Sequence, residues 1–325
     1  MPSEPPAAVR HHSVQVPATS ANLGAGFDAF GLAVDRHLAV RTVPRVAQAE
    51  RVRTLDAASS ELATDDDNLV WRAFETFCRH HDLPVPEVGL VARSVIPLER
   101  GMGSSSAAIV AGLALARAVT GQSVGDRQLL ALATELEGHP DNVAPALLGG
   151  LVACAQADDG SVVVRRVNPA ANLRPVLLVP EARQATSAAR AVLPAQLDRA
   201  DVIDQVARGG HTLAALTGAW PLSPDVVGDR LHEPARLAVM APTAGVIAAV
   251  RDAGIAAWLS GAGPSVAAVV ESRDEAVVSR LEAIAVEHGF DCQPTRFDLS
   301  GARTCPDDGC GLGGGDCAQC PRERL

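Results

Sequence analysis

Glycine and serine residues that can bind phosphate lie where a predicted strand meets a predicted helix. Gly101 and Gly103 precede three consecutive serines, 104–106, and the apolar run that follows predicts a helix from Ser104 to about residue 119. Glycine lets the backbone approach an anion closely, and the first N–H groups of a helix lack partners within it. The segment therefore predicts a triphosphate site, although serine is also common at ordinary helix caps.

Lysine is absent from the chain, so the 28 residues counted as Lys+Arg are all arginines. A Walker A loop requires a lysine after its glycines, and a protein kinase requires a lysine on a strand. The sequence therefore excludes both of these nucleotide sites. Any nucleotide must be held by backbone N–H groups, hydroxyls, arginine and a metal ion.

A carboxylate that can bind a metal ion ends a second predicted helix, at residues 126–137. Glu137 lies at the C-terminal end, where a negative charge opposes the helix dipole. One carboxylate together with a serine hydroxyl suits Mg²⁺, which keeps several waters and takes few protein ligands. A solvated surface glutamate is the alternative interpretation.

Other polar residues are concentrated on predicted turns. Residues 138–142 follow Glu137 and place His139, Asp141 and Asn142 together, although Asp141 is also a plausible helix cap. Asn22 and Asp28 flank two glycines and are equally compatible with Asx turns.

A second glycine-rich turn and two arginines also allow more than one interpretation. Residues 261–265 join two predicted strands, either as a simple hairpin or as a close backbone approach to a ligand. Arg190 and Arg236 are two of many arginines, and a single arginine is usually a solvated surface residue.

The predicted elements mix strands and helices without a regular alternation, which favours an α+β fold. One of Asp65, Asp66 and Asp67 is expected to cap the helix at 68–80. Strands are predicted at 14–18, 37–43, 87–96, 151–156, 161–167, 175–179, 255–259, 265–270 and 292–297. Helices are predicted at 68–80, 104–119, 126–137, 186–193, 199–217, 243–253 and 273–288.

The bulk composition is that of a globular protein. With 325 residues, 47% of them hydrophobic, the chain is long enough for two domains with cores of their own. A net charge of −10 and the lack of basic runs argue against a nucleic-acid surface. No apolar stretch has membrane-spanning length, and the N-terminus has no secretory signal pattern. We expect a cytoplasmic protein, with Cys78, Cys154 and Cys292 as buried small hydrophobes.

The two ends of the chain differ from the rest in composition. Residues 1–12 are rich in Pro and Ala and are predicted to be flexible, and residues 301–325 are rich in Gly, Asp and Cys and are predicted to lie outside the folded core. Cys305, Cys310, Cys317 and Cys320 are spaced C-x4-C-x6-C-x2-C, which is not a common zinc spacing. We expect a flexible tail over 304–325, and a Zn²⁺ site is the alternative.

Four segments together resemble the GHMP small-molecule kinases, most closely the branch that acts on L-homoserine. These segments are residues 16–28, 101–108, 137–145 and 260–265, and the match extends from about residue 13 to residue 303. The first and third are specific to that branch, whereas the other two occur throughout the superfamily. The segment 234–242 lacks the Pro-Gly that commonly follows the family's second arginine.

The resemblance implies a two-domain α+β architecture and a reaction. The N-terminal domain, 13–168, would resemble ribosomal protein S5 domain 2 and bind ATP. The C-terminal domain, 169–303, would be ferredoxin-like, with the active site in the cleft between the two. ATP and Mg²⁺ would be required for phosphorylation of the side-chain hydroxyl of L-homoserine on the route to threonine, and we expect a homodimer.

The resemblance also assigns roles to individual residues. Ser105 and Glu137 match the Mg²⁺ ligands, and Thr186 matches a threonine near the transferred phosphate. The amino-acid site is matched by Asn22, Asp28, His139, Asn142, Arg190 and Arg236. The nucleotide site is matched by Asn68, Pro97, Glu99, Arg100, Gly101, Met102, Gly103, Ser104, Ser105 and Ser106.

The charges of the expected substrate agree with these roles. Homoserine is a zwitterion with a hydroxyl, so Asp28 can accept from its ammonium and an arginine can grip its carboxylate. A neutral amide cannot act as a general base, and we therefore expect Asn142 to orient the hydroxyl while Arg190 neutralises the moving phosphoryl group. Alternatives are another GHMP kinase acting on threonine or a mevalonate-type alcohol, a regulatory protein without turnover, and a metal-dependent interaction module in the tail.

Overall fold

A computed structural model describes residues 12–44, 51–55 and 63–306 of the chain. Within these ranges, the strands form two sheets. The strands of the first are β1 (His12–Ala21), β2 (Phe30–Pro44), β3 (Val52–Thr54), β4 (Val88–Ser94), β5 (Leu151–Gln156), β6 (Val162–Val167) and β11 (Arg303–Pro306). The strands of the second are β7 (Leu173–Pro180), β8 (Ala256–Leu259), β9 (Val266–Glu271) and β10 (Phe290–Pro294).

The first sheet has the order β11-β1-β2-β4-β3, and β5 joins it by pairing with β2 and β6. The second sheet has the order β10-β7-β9-β8. Neighbouring strands are antiparallel apart from the parallel pair β3 and β4. The chain therefore passes from one sheet to the other between Val167 and Leu173 and returns to the first sheet with β11.

Helices pack on both sheets and connect them. In chain order they are α1 (Leu69–His80), α2 (Ser104–Thr120), α3 (Asp126–Glu137), α4 (Pro140–Leu148), α5 (Thr186–Ala191), α6 (Arg199–Leu216), α7 (Glu233–Leu237), α8 (Ala241–Asp252) and α9 (Glu275–His288). Helix α2 is buried continuously from Ser106 to Ala116, as its all-round apolar sequence predicts. It thereby fixes the segment at its N-terminus against the core.

The first turn of α1 is capped by Asn68 rather than by the aspartates that precede it. Its side-chain oxygen accepts from the backbone N–H groups of Val70 and Trp71, and its Nδ2 donates to the carbonyl of Ala63. An N-cap of this kind satisfies donors that have no partner within the helix. The expected Asp cap is therefore wrong. The cap also accounts for Asn68, which is buried, without a nucleotide.

The beginning of the predicted flexible tail is part of the first sheet. Strand β11 pairs antiparallel with β1, from His12 opposite Pro306 to Gln15 opposite Arg303, and Cys305 is buried there. The prediction that residues from 301 onward lie outside the core, with the tail beginning at 304, is therefore wrong as far as Pro306. The prediction was based on the polar, glycine-rich composition of this segment. Composition cannot show that one edge of β1 is open for pairing with another strand. The remaining three cysteines of the tail, at 310, 317 and 320, lie outside the described residues.

The cysteines of the folded part are packed much as expected. Cys78 and Cys154 are buried, whereas Cys292 on β10 is only half-buried. Burial raises the pKa of the Cys154 thiol to about 12. A thiol with so high a pKa is almost entirely protonated near neutral pH and is a poor nucleophile.

Truncation tests the contribution of β11. Ending the chain after Ala302 is expected to lower the free energy of unfolding by about 2–4 kcal/mol, because several backbone hydrogen bonds and the burial of Cys305 are lost. Urea denaturation would measure the change. The matched control ends after Pro306 and keeps the strand, so it should unfold at the same urea concentration as the full chain. Equal stability of both truncated forms would contradict a structural role for β11.

Candidate active site

The segment between β4 and α2 forms a tight loop that only glycine permits. Gly101 and Gly103 have φ values of 70° and 66°. A Cβ at Gly101 would collide with the carbonyl of Ser260, and one at Gly103 would collide with the hydroxyl of Thr19. Gly103 is also the N-cap of α2, and no side chain caps that helix. The N–H groups of its first turn are thus available to an anion.

Glu137 reaches the serines of this loop from the end of α3. Its Oε1 accepts hydrogen bonds from the hydroxyls of Ser105 and Ser106, each at 2.7 Å. Its second oxygen makes no hydrogen bond within the described residues. A carboxylate beside hydroxyl oxygens, at the N-terminus of a helix, is a donor set that Mg²⁺ accepts. The residues present therefore fit this ion.

Asn22 and Asp28 are positioned by the strained turn that joins β1 and β2. Both have positive φ values, 69° and 55° respectively, which is uncommon outside glycine. The Asn22 amide donates to the carbonyl of Gly261 at 2.7 Å and accepts from the backbone N–H of Asp28 at 3.1 Å. Asn22 thus connects the turn to the loop between β8 and β9 and presents the Asp28 carboxylate to the cavity.

Asp28 and Arg190 form a bidentate ion pair across 162 residues of sequence. The two guanidinium nitrogens lie 3.0 and 2.7 Å from the two carboxylate oxygens. The pairing raises the pKa of Arg190 against the opposing effect of its partial burial. About a third of each side chain is exposed, so a ligand entering the cavity can compete for either partner.

The N-terminal end of α4 provides His139, its N-cap, and Asn142, in its first turn. His139 Nδ1 lies 2.5 Å from Asp141 Oδ1. Burial alone would lower the pKa of His139, but the buried Asp141 carboxylate outweighs it and the pKa is raised. Asn142 accepts a hydrogen bond from the hydroxyl of Thr19 at 2.7 Å, while its Nδ2 has no partner within the described residues. The cavity is therefore lined by an imidazole whose pKa is raised and by an amide group that is free to donate hydrogen bonds.

Arg236 approaches the cavity from α7 and is almost completely buried. It donates to the carbonyls of Ala189 and Gly261 at 3.1 and 3.0 Å. Burial, followed in effect by the nearby Arg190, lowers the pKa of its guanidinium. A guanidinium remains charged even so, because its unperturbed pKa lies far above neutral pH.

These groups surround a single cavity, which encloses about 540 Å³ including its mouth. Thirteen predicted site residues line it: Asn22, Asp28, Glu99, Gly101, Gly103, Ser104, Ser105, Glu137, His139, Asn142, Thr186, Arg190 and Arg236. Asp141, Gln184, Gly261 and Ala262 line it as well and were not among the predicted site residues. The four segments that carry the family resemblance therefore each contribute residues to one site.

Five predicted nucleotide residues do not line this cavity. Asn68 caps α1, Met102 is buried in the core, and Ser106 is bound to Glu137. Pro97 and Arg100 instead line a separate groove. The Arg100 guanidinium donates hydrogen bonds to the carbonyls of Pro180, Glu181 and Leu98. Nucleotide contacts of these residues stay predictions.

Comparison with known proteins identifies the family. The model of the GHMP kinases N terminal domain matches residues 68–150, and that of the GHMP kinases C terminal region matches residues 214–286. A homoserine kinase of Synechococcus sp. is 40% identical over 81% of this chain and 87% of its own. The chain belongs to the homoserine kinase family of the GHMP kinases. A homoserine kinase of Moorella thermoacetica is 38% identical, covering 86% of this chain and 94% of its own length.

Solved structures agree with this family. The crystal structure of homoserine kinase from Cytophaga hutchinsonii superimposes with a TM-score of 0.75 at 26% identity, covering 93% of this chain and 99% of its own. The expected two-domain α+β architecture of a GHMP kinase is thus confirmed. The domain boundary at residues 168/169 stays a prediction. None of the helices within the described ranges is long and apolar enough to cross a membrane.

Some residues of this homoserine kinase family site were missed because sequence gives little sign of them. Asp141 lies in a motif that was singled out, but its helix-cap interpretation concealed the contact with His139. Gln184 lies two residues before Thr186 in an ordinary loop, and its backbone N–H donates to the carbonyl of Glu99 at 2.8 Å. No local pattern distinguishes such a residue, since only the fold brings it beside the loop that precedes α2.

Proposed function

We propose that this chain transfers the γ-phosphoryl group of ATP to the side-chain hydroxyl of L-homoserine. The products are ADP and O-phospho-L-homoserine, and the reaction is a step toward threonine. One observation carries the proposal: a single cavity combines a glycine-rich loop and the Glu137 carboxylate, which suits Mg²⁺, with the Asp28 carboxylate and two guanidinium groups. These charges match a zwitterionic alcohol beside a nucleotide.

The nucleotide end of the cavity is built mainly from backbone. We assign the polyphosphate to the loop around Gly101 and Gly103 and to the first turn of α2. Ser105 and Glu137 would hold Mg²⁺, which neutralises phosphate charge and orients the transferred group when bound. Phosphoryl transfer needs mainly positioning and positive charge, so this loop supplies much of what the reaction requires.

The opposite end of the cavity is assigned to the amino acid. Asp28 accepts from the substrate ammonium, and Arg236 binds the carboxylate with N–H groups that no described residue uses. Asn22 holds the backbone of Asp28 in place, and His139 adds a donor at the same end. A substrate without an ammonium group, such as mevalonate, would have no cationic group that donates to the Asp28 carboxylate.

The reacting groups lie between these two ends. Asn142 can donate its free amide hydrogen to the substrate hydroxyl oxygen and so orient it, but it cannot remove a proton. Arg190 and Thr186 lie on α5 at the cavity wall, where they can donate to the oxygens of the transferred phosphoryl group. Pre-organised donors of this kind stabilise charge that is spread over the transition state.

An assay of ADP release across several alcohols tests the proposal. Purified protein with ATP and Mg²⁺ is expected to turn over with L-homoserine far faster than with L-threonine, L-serine or mevalonate, and mass spectrometry should find a phosphorylated amino acid. Phosphorylation of mevalonate but not of homoserine would overturn the substrate assignment. Nucleotide binding without turnover of any of the four would favour a regulatory protein.

Asp28→Ala tests the ammonium contact. We expect KM for homoserine to rise roughly 10- to 100-fold, because a hydrogen bond between charged groups is worth about 1.5–3 kcal/mol. KM for ATP should change less than about threefold. Steady-state kinetics with each substrate varied in turn would measure both. Asp252→Ala, at an exposed position on α8, is the matched control, and an unchanged homoserine KM in Asp28→Ala would remove Asp28 from the ammonium site.

The assembly and location of the protein stay predictions. We propose a homodimer and a cytoplasmic location, in keeping with the sequence-based expectations. Analytical ultracentrifugation of the full chain would measure the first, and a monomer at micromolar concentration would contradict it.

A further inference from the structure

His232 lies behind Arg236 and links it to the turn that carries Asp28. The ring is fully buried. Its Nε2 is 3.1 Å from the carbonyl oxygen of Gly24, and its Nδ1 is 3.3 Å from a terminal nitrogen, Nη1, of Arg236. His232 was not among the residues predicted from the sequence, and it does not line the cavity.

The donors and acceptors around the ring determine where its proton lies. A guanidinium has only donors, so Nδ1 must accept from Arg236. A carbonyl has only acceptors, so Nε2 must carry the hydrogen that is donated to Gly24. Both bonds exist together only in the neutral form with hydrogen on Nε2. Burial lowers the pKa of His232, which favours this neutral form.

The surroundings hold the ring in this position. Asp229 accepts from the backbone N–H groups of Leu231, His232 and Glu233 and so fixes the start of α7. Phe27 stacks on the imidazole with ring centroids 5.1 Å apart. The guanidinium of Arg236 lies over the same Phe27 ring at 5.3 Å. The imidazole of His232 and the guanidinium of Arg236 therefore both pack against the ring of Phe27.

The contacts of Arg236 leave one end of its guanidinium for a ligand. Nε donates to Ala189, and Nη1 donates to both Gly261 and His232. The third nitrogen, Nη2, has no hydrogen-bond partner within the described residues, although Arg236 lines the cavity. Because both hydrogens of Nη1 are used in hydrogen bonds, the planar guanidinium cannot rotate freely. The direction in which Nη2 points is therefore fixed.

We propose that His232 is a positioning residue that orients Arg236 toward the carboxylate of the amino-acid substrate. This inference rests on the proposed function, since it assigns Arg236 to that carboxylate. It predicts that the acceptor at Nδ1 matters for substrate affinity, whereas the donor at Nε2 matters mainly for holding the ring on the Gly24 turn.

Two substitutions separate these contributions. His232→Asn places an amide oxygen near the position of Nδ1 and keeps an acceptor for Arg236, whereas His232→Gln reaches toward Nε2 and keeps a donor for Gly24. For His232→Gln we expect KM for homoserine to rise roughly tenfold or more, with kcat and the ATP KM within about twofold of wild type. His232→Asn should restore most of the affinity. His80→Gln, at an exposed position on α1, is the control.

A double-mutant cycle distinguishes orientation of Arg236 from a general loss of structure. In an Arg236→Gln background, His232→Gln should raise the homoserine KM by less than about twofold further, because its effect acts through the arginine. Thermal denaturation would establish that each variant is folded. Independent, multiplying effects in the cycle, or equal losses for His232→Asn and His232→Gln, would overturn the proposal. Failure of wild-type protein to use homoserine would instead reject the proposed function, so the two failures are distinguishable.

Discussion

Glu137→Gln is expected to lower kcat roughly 100-fold or more while leaving the fold intact. The carboxylate accepts from Ser105 and Ser106 and is the only acidic group assigned to the metal, so its neutral amide would weaken Mg²⁺ binding at the triphosphate. Metal ions supply several kcal/mol of charge stabilisation in such reactions, and about 3 kcal/mol corresponds to roughly 100-fold in rate. Coupled ADP-release kinetics over a range of Mg²⁺ concentrations would measure the loss.

Glu135→Gln is the matched control for this substitution. Glu135 lies on the same helix, α3, but is exposed and has no hydrogen bond in the part of the chain that the structure describes. Its turnover and Mg²⁺ dependence should equal those of wild type. A Glu137→Gln enzyme with nearly normal kcat at low Mg²⁺ would refute the metal assignment.

Arg190→Gln is expected to lower kcat about 1000-fold. Arginine side chains that donate to a transferring phosphoryl group contribute on the order of 10³ or more to the rate, and this chain has no lysine to substitute for them. Arg190→Lys should recover only part of the rate, since an ammonium lacks the planar fork of a guanidinium. Rapid-quench measurement of a single turnover would report the chemical step directly.

The control for this experiment is Arg199→Gln, an exposed arginine at the start of α6. It should behave as wild type. If Arg190→Gln raised the homoserine KM but left the single-turnover rate unchanged, Arg190 would belong to the amino-acid site alone. The role in phosphoryl transfer would then be wrong.

The elements that could be predicted from sequence are those whose signals are local. Helix α3 was predicted at its observed bounds, because its apolar spacing and flanking glycines, Gly125 and Gly138, are contained within the segment itself. The long apolar run of α2 likewise indicated burial on all sides. The glycine-serine loop could be singled out for the same reason, since glycines and serines before a helix are informative without knowledge of the fold, and its phosphate contacts stay a prediction.

The features that were missed depend on residues far apart in sequence. Strand β11 exists because β1 offers an edge almost 290 positions earlier, and its own composition resembles a linker. Asn68, not an aspartate, caps α1 because the backbone geometry selects among neighbouring candidates. The pairing of Asp28 with Arg190 and the contact of His232 with Arg236 require the two sheets to be in place.

If Arg190 donates to the γ-phosphate and Asp28 accepts from the substrate ammonium, as proposed, their pairing predicts that the two substrates assist each other. Arg190 cannot serve the Asp28 carboxylate and a γ-phosphate with the same donors. A nucleotide that draws Arg190 away leaves Asp28 without its partner and so increases its attraction for an ammonium. Thermodynamic linkage makes this heterotropic cooperativity reciprocal: the factor by which ATP strengthens homoserine binding equals the factor by which homoserine strengthens ATP binding.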